Sequence, residues 1–340
     1  MSGLADFRAA ERAEAAGHLL KAERLYRSVR LSMPLAANTN LGNVLLAQGR
    51  FKAAEEAFVA ARAADPADNR PPYNLSLLRL SEGDYTQGLS LYEYRRQRGP
   101  PAVRAPEWRG EDLAGKRLLV LGEQGLGDQI MWSRFILPLL SRGAAIDLVA
   151  LPLLHGVFTS LGVRLLADET ALDPAAYDYW ALLGSLPLRL GARLDDLPPP
   201  TPIAGPVTAG AGIGVVPQGS RTHRNDAWRS LFGRDERRLL ALGRDLRPEA
   251  TGATSFADTA AIVADLDLVI SVDTATAHLA ASIGKPTWIL LQAGSTDWRW
   301  LRERRDSPWY PSVRLFRQRV PRDWAPVFRM LDAALAERAP

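Results

Sequence analysis

Three short stretches combine residue types and spacings that could handle an anionic substrate. The first, GEQGLGDQ at 122–129, lies between an apolar run and an amphipathic one. Gly122, Gly125 and Gly127 allow positive φ and close backbone approach, and the helix that follows offers unpaired N–H groups to an anion or polar ligand. Asp128 projects at that opening; the plainer reading is a tight turn with Asp128 capping its own helix. The second stretch, 266–290, ends a buried strand at Val272 and places Asp273 and Thr274 at its carboxyl end. A helix of small residues begins at once, aiming its N–H groups at a phosphate beyond the strand. Ala275, Thr276 and Ala277 leave room for a bulky ligand, and His278 shares a helix face with Thr274. Here too a plainer reading stands, with Asp273 as a cap and His278 as a hydrogen-bonded core residue. The third, PQGSRTHRNDAWRS at 217–230, crowds Arg221, His223, Arg224 and Arg229 into a glycine-containing loop. Guanidinium groups bind phosphate oxygens bidentately, which suits neutralising a diphosphate, although such loops also occur simply as solvated charge.

Other chemistries lose support. The chain has no cysteine, which excludes disulfides, thiolate metal sites and cysteine nucleophiles. The four histidines, His18, His155, His223 and His278, lack metal-ligand spacing, and Asp265-Leu266-Asp267 reads as the entry to a buried strand, so no metal site is expected. The 122–129 loop is neither a P-loop nor a G-x-G-x-x-G dinucleotide turn, and no G-x-S-x-G elbow occurs. The net charge of +4 suits an anionic ligand, yet the basic residues are scattered and form no recognisable nucleic-acid module. Glu11 and Glu14 interrupt what a secretory signal would need, and no later stretch reaches the roughly 18 apolar residues of a membrane span. The expectation is a cytoplasmic protein that binds no nucleic acid and has no transmembrane segment.

The elements that must position these stretches show two regimes. Aligning Gly17, Gly49 and Gly83 places Ala22, Ala54 and Gly88 five residues on, Tyr26, Phe58 and Tyr92 nine on, and Pro34, Pro66 and Pro100 seventeen on. Each unit reads as helix, glycine turn, second helix and proline stop. A proline-rich joint at 99–106 ends this region, with Trp108 just beyond as a packing anchor between domains. From Lys116 onward short apolar runs alternate with amphipathic stretches, which argues for parallel α/β units. Expected strands are 118–121, 146–151, 213–216, 268–272 and 287–291; expected helices include 130–140, 274–283 and a closing helix at 323–336. A second proline- and glycine-rich joint at 196–212 divides two lobes. The organisation is α followed by α/β: helical repeats over 1–100, a first lobe over 101–205 and a second over 206–340.

The repeat pattern, with Leu41-Gly42 and Leu45 in a first helix, resembles the tetratricopeptide repeat. GEQGLGD, QGSRTHRND, VDTATAHLAASIGKPTWIL and DWRWLRERRDSPWYPSVRLFRQ together resemble the heptosyltransferase-like glycosyltransferases, which have two Rossmann-like lobes in the GT-B arrangement. The order of repeats then transferase motifs is similar to bacterial tetratricopeptide-repeat glycosyltransferases. That resemblance implies a sugar transferred from a nucleotide-sugar donor, without a metal or other cofactor. It implies Asp128 as the base on the acceptor hydroxyl, within a loop that includes Gly125 and Gly127. It implies that Asp273, Thr274, Ala275 and Thr276 hold the sugar and β-phosphate, with His278 in the same motif. His223 and Arg224, beside Gln218, match the cationic contacts to the diphosphate. Repeat concavities usually bind peptides, so the expected acceptor or partner is a protein. The competing expectation is a non-catalytic repeat scaffold carrying a degenerate transferase domain.

Overall fold

A computed structural model describes residues 2–96, 101–170, 172–203, 210–223, 226–294 and 296–338. The chain divides into two compact units: Met1–Gln97 with Ala293–Glu303, and Arg98–Gln292 with Arg304–Pro340. No described helix is long and apolar enough to cross a membrane.

The first unit contains α1 (Ser2–Ala15), α2 (Leu19–Ser28), α3 (Pro34–Ala47), α4 (Phe51–Ala64), α5 (Arg70–Ser81) and α6 (Tyr85–Tyr92), each packed on the next. Gly17, Gly49 and Gly83 adopt φ of 77°, 73° and 85°, the left-handed conformation that ends α1, α3 and α5. The aligned small and aromatic positions are where the helices close on one another: Ala22, Ala54, Tyr26 and Phe58 are fully buried. A Cβ on Gly42 would lie 2.3 Å from the Phe58 ring, so the glycine gives that ring its place. Pro34 occupies the first turn of α3, where its missing N–H costs nothing; it starts a helix as much as it stops one. Pro100 lies outside the described residues.

Residues 293–303 fall within the range expected for the second lobe, yet they fold with the helices. Trp298 is buried edge-on to Tyr85 and Tyr92, with ring centroids 6.1 and 5.9 Å away. Arg302 lies 3.6 Å from the Phe51 ring centroid, and donates to Ser81 Oγ and Glu82 Oε1 at 3.1 Å each. Aromatic burial and a partly desolvated cation–π pair are strong local ties for a segment whose regular structure is one short turn, Trp298–Trp300.

The second unit holds two parallel sheets among its described residues. Strands β1 (Arg117–Leu121), β2 (Ala145–Val149), β3 (Arg164–Leu166) and β4 (Tyr179–Leu182) run in the order β3-β2-β1-β4. Strands β5 (Ile213–Val216), β6 (Arg244–Asp245), β7 (Leu268–Val272), β8 (Thr287–Leu291) and β9 (Val313–Arg317) run in the order β6-β5-β7-β8-β9. Every pairing is parallel. β7 and β8 are buried at every position, because helices cover both faces of a parallel sheet. A helical region followed by two Rossmann-like α/β lobes fits a GT-B-like fold. The closing helix spans Ala325–Ala336 and packs Val327, Phe328 and Leu331 against the second sheet.

Two expectations need correction. The helix expected at 130–140 begins earlier, as α7 (Leu126–Trp132), and breaks into a tighter turn at Ser133–Phe135 before resuming at Ile136–Ser141. Pro138 cannot donate to the carbonyl of Arg134, and Ser133 Oγ bonds back to Ile130 O at 2.8 Å, so a regular ladder cannot pass. Trp108 packs within the first lobe: its N–H donates to Trp180 O at 2.8 Å and its indole to Glu111 O at 2.9 Å.

Candidate functional site

In an open parallel sheet, the crevice that accepts a ligand lies beyond the carboxyl ends of the strands where the strand order reverses. In the first sheet that reversal is between β1 and β4, and in the second between β5 and β7. The loops after β1, β5 and β7 are the three stretches whose chemistry stood out in the sequence. Topology therefore puts all of them at switch points.

The loop after β1 is built by close approaches. A Cβ on Gly122 would lie 2.6 Å from Val149 O, the carbonyl that accepts the Gly122 N–H at 2.7 Å. Gln124 takes φ of 61°, a conformation side chains rarely adopt and one that the surrounding bonds must hold. Glu123 Oε1 accepts from Gly184 N at 3.1 Å, tying this loop across the switch point to the end of β4. Gly125 precedes α7, and its N–H donates to Asp128 Oδ2 at 3.0 Å, so the half-buried carboxylate caps its own helix. Gln129 Oε1 accepts from Leu151 N at 3.1 Å, fixing the far side of the turn.

The loop after β7 is organised by Thr274. Its Oγ1 accepts from Ala277 N at 3.3 Å and lies 2.9 Å from Ser271 Oγ, capping the helix Ala275–Ile283. Asp273, Thr274, Ala275 and Thr276 are half-buried and open this helix beside the strand end. His278 is 3% exposed. Its Nδ1 lies 2.9 Å from the Tyr310 hydroxyl, and its Nε2 lies 4.0 Å from Asp273 Oδ1. The imidazole also meets the first lobe, for a Cβ on Gly127 would lie 2.8 Å from His278 Cδ2 and 3.4 Å from Ala275 Cα. Gly127 thus lets α7 and the Ala275–Ile283 helix touch, and brings the GLGD turn to the Asp273–Thr274 junction.

The loop after β5 reaches the same junction through Arg229, whose Nη1 donates to Asp273 O at 2.8 Å. Ser230 Oγ accepts from Gly219 N at 2.9 Å and donates to Asp226 Oδ1 at 2.6 Å, closing the loop on itself. Gln218 is turned into the base of the loop: its Nε2 donates to Leu231 O and its Oε1 accepts from Arg247 Nη1, both at 3.1 Å. Arg247 is a firm support, its pKa raised by Asp245 with help from Glu236. His223 is exposed in the middle of the loop. Arg224 lies outside the described residues.

Of the sequence-derived candidates, Gly127, Asp273, Thr274, Ala275 and His278 are brought together, Asp128 follows Gly127 in the chain and bonds to Gly125, and Gln218 serves the loop from below. Two residues make contacts here that the sequence did not reveal. Arg229 was visible only as one charge among several in its loop, and no local pattern marks it as the residue that reaches Asp273. Tyr310 is 32 residues from His278, and only tertiary folding joins them. Asp267, read as structural, accepts from Gly212 N at 3.1 Å through Oδ2 and so secures the entry to β7.

Residues 234–318 match the family described as glycosyltransferase family 9 (heptosyltransferase). That stretch contains Asp273, Thr274, His278 and Tyr310, and leaves out the loops after β1 and β5. Protein FlbA of Caulobacter vibrioides is 26% identical over 298 residues, which cover 70% of this chain and 49% of that protein. The chain therefore spans about half the length of this curated relative. A solved mutant of the O-GlcNAc transferase of Thermobaculum terrenum aligns with 88% of this chain and 84% of its own, at 14% identity and a TM-score of 0.26. The family match over the second lobe supports a glycosyltransferase.

Proposed function

We propose that the protein transfers a glycosyl group from a nucleotide-sugar donor to an acceptor hydroxyl. The observation that carries this reading is the meeting of two switch-point loops, the GLGD turn and the Asp273–Thr274 junction, through the contact of Gly127 with His278. In this reading the donor diphosphate lies against the first turn of the Ala275–Ile283 helix, where backbone N–H groups and the helix dipole favour an anion. The acceptor oxygen attacks the anomeric carbon, its proton passes to the Asp128 carboxylate, and the bond to the β-phosphate oxygen breaks to release a nucleoside diphosphate. Charge on that leaving group is met by N–H groups and by cations of the 217–230 loop, His223 and Arg224 among them, so no metal ion takes part. The helical unit reads as tetratricopeptide-type repeats that recruit a protein acceptor.

One observation favours a second reading. The Asp128 carboxylate already caps α7 through Gly125 N, the arrangement expected of a scaffold that keeps the fold and not the chemistry. The two readings part on turnover. Incubating the purified chain and an extract of its own cells with ADP-, GDP- and UDP-linked sugars should release the nucleoside diphosphate from one donor. Asp128→Asn should lower that rate about 10²–10⁴-fold, the range for a lost general base, with the donor still bound. Release at an equal rate from the variant would remove Asp128 from the chemistry, and no release from any donor would favour the scaffold.

A further inference from the structure

We infer that Tyr310 is a positioning residue for the Asp273–Thr274 junction, its hydroxyl holding the His278 imidazole so that Nε2 faces the Asp273 carboxylate. The inference rests on the reading of this junction as the donor site. The His278 ring has neighbours on three sides: Nδ1 is within hydrogen-bond distance of Tyr310 Oη at 2.9 Å, Nε2 is 4.0 Å from Asp273 Oδ1, and the Cδ2 edge lies against Gly127. At 4.0 Å the Asp273 carboxylate is beyond hydrogen-bond reach of Nε2, but its negative charge favours an N–H on that side of the ring, so in this arrangement the neutral imidazole carries its proton on Nε2 and Nδ1 accepts from the Tyr310 O–H. Tyr310 is itself fixed. It is fully buried, its N–H donates to Ser307 O at 3.3 Å, and the guanidinium of Arg134 lies 5.0 Å from its ring centroid. Among the described residues, charged groups near the imidazole include Asp273 in front, Arg134 behind the tyrosine ring, Arg229 on the Asp273 carbonyl and Asp128 one residue beyond Gly127. Tyr310 touches no substrate in this scheme; it acts by deciding which way the histidine points and which nitrogen is protonated.

The chain has four histidines, so ¹⁵N-histidine labelling with long-range proton–nitrogen correlation can follow each tautomer and titration. The wild type should show His278 with the proton on Nε2. Tyr310→Phe keeps the ring and removes the hydroxyl; it should mix the tautomers and move the His278 titration midpoint, effects that loss of packing alone would not produce. Calorimetry with ADP, GDP and UDP should show the nucleotide that binds the wild type binding Tyr310→Phe about tenfold more weakly, the scale of one lost hydrogen bond. A wild-type His278 protonated on Nδ1 would overturn the inference with no substitution needed, and so would a Tyr310→Phe spectrum and midpoint equal to the wild type. If no nucleotide binds the wild type, the donor reading fails, a result the tautomer measurement separates from failure of the Tyr310–His278 arrangement.

Discussion

Gly127 and Thr274 each solve a local problem whose solution is also the site. At Gly127 the problem is steric, since any Cβ would press on His278 and force α7 away from the Ala275–Ile283 helix. Gly127→Ala should therefore destabilise the second unit by about 1–3 kcal/mol, the usual cost of overpacking, as read from urea unfolding. Thr274 is an N-cap whose hydroxyl accepts from Ala277 N. Thr274→Val keeps the shape and loses the acceptor, so it should cost about 0.5–2 kcal/mol of stability in the same assay. Glycine spacing and the Asp-Thr pair were legible in the sequence because backbone constraints and caps are local. Tyr310 and Arg229 were not, because a hydroxyl 32 residues away and one arginine among several become partners only after folding.

At the scale of elements, what was legible follows burial. β1, β5, β7 and β8 announce themselves as apolar runs because they lie in sheet interiors. β3 and β6 are short edge strands in which only Leu166 is buried, and they leave no continuous run to read. The helical unit was legible through its glycines and aromatics, whereas its capture of residues 293–303 was not. Trp298→Ala should destabilise that unit by about 3–5 kcal/mol, the cost of emptying a buried aromatic site, seen as an earlier helical melting transition by circular dichroism. Between α2 and the turn after α3, burial would raise the Glu23 carboxyl, but hydrogen bonds from Arg50, Gln48 and Arg27 outweigh it and hold the group below its ordinary value of 4.5. Stability from this cluster is full above that ordinary value and is lost as pH falls through the lowered one. Glu23→Gln should therefore narrow the difference in helical melting temperature between pH 7 and pH 3.

At the scale of the molecule, the second unit repeats one device twice: a parallel sheet, a switch point and a loop leading into a helix. The two copies differ in what they offer. The first provides a carboxylate near a glycine turn, and the second a helix start flanked by a cation-rich loop. One transfer reaction needs both, an acceptor to deprotonate and a diphosphate to stabilise, which is why their contact through Gly127 and His278 matters more than either motif. The central claim is that the Asp273–Thr274 junction binds the diphosphate of a nucleotide-sugar donor. The direct measurement is calorimetric titration of the full chain with ADP, GDP and UDP, repeated on Thr274→Val and Asp128→Asn. The account predicts that one nucleotide binds the wild type, that Thr274→Val weakens it about tenfold, and that Asp128→Asn leaves it unchanged. A wild type that binds none of them, or a Thr274→Val variant that binds as tightly as the wild type, would contradict it.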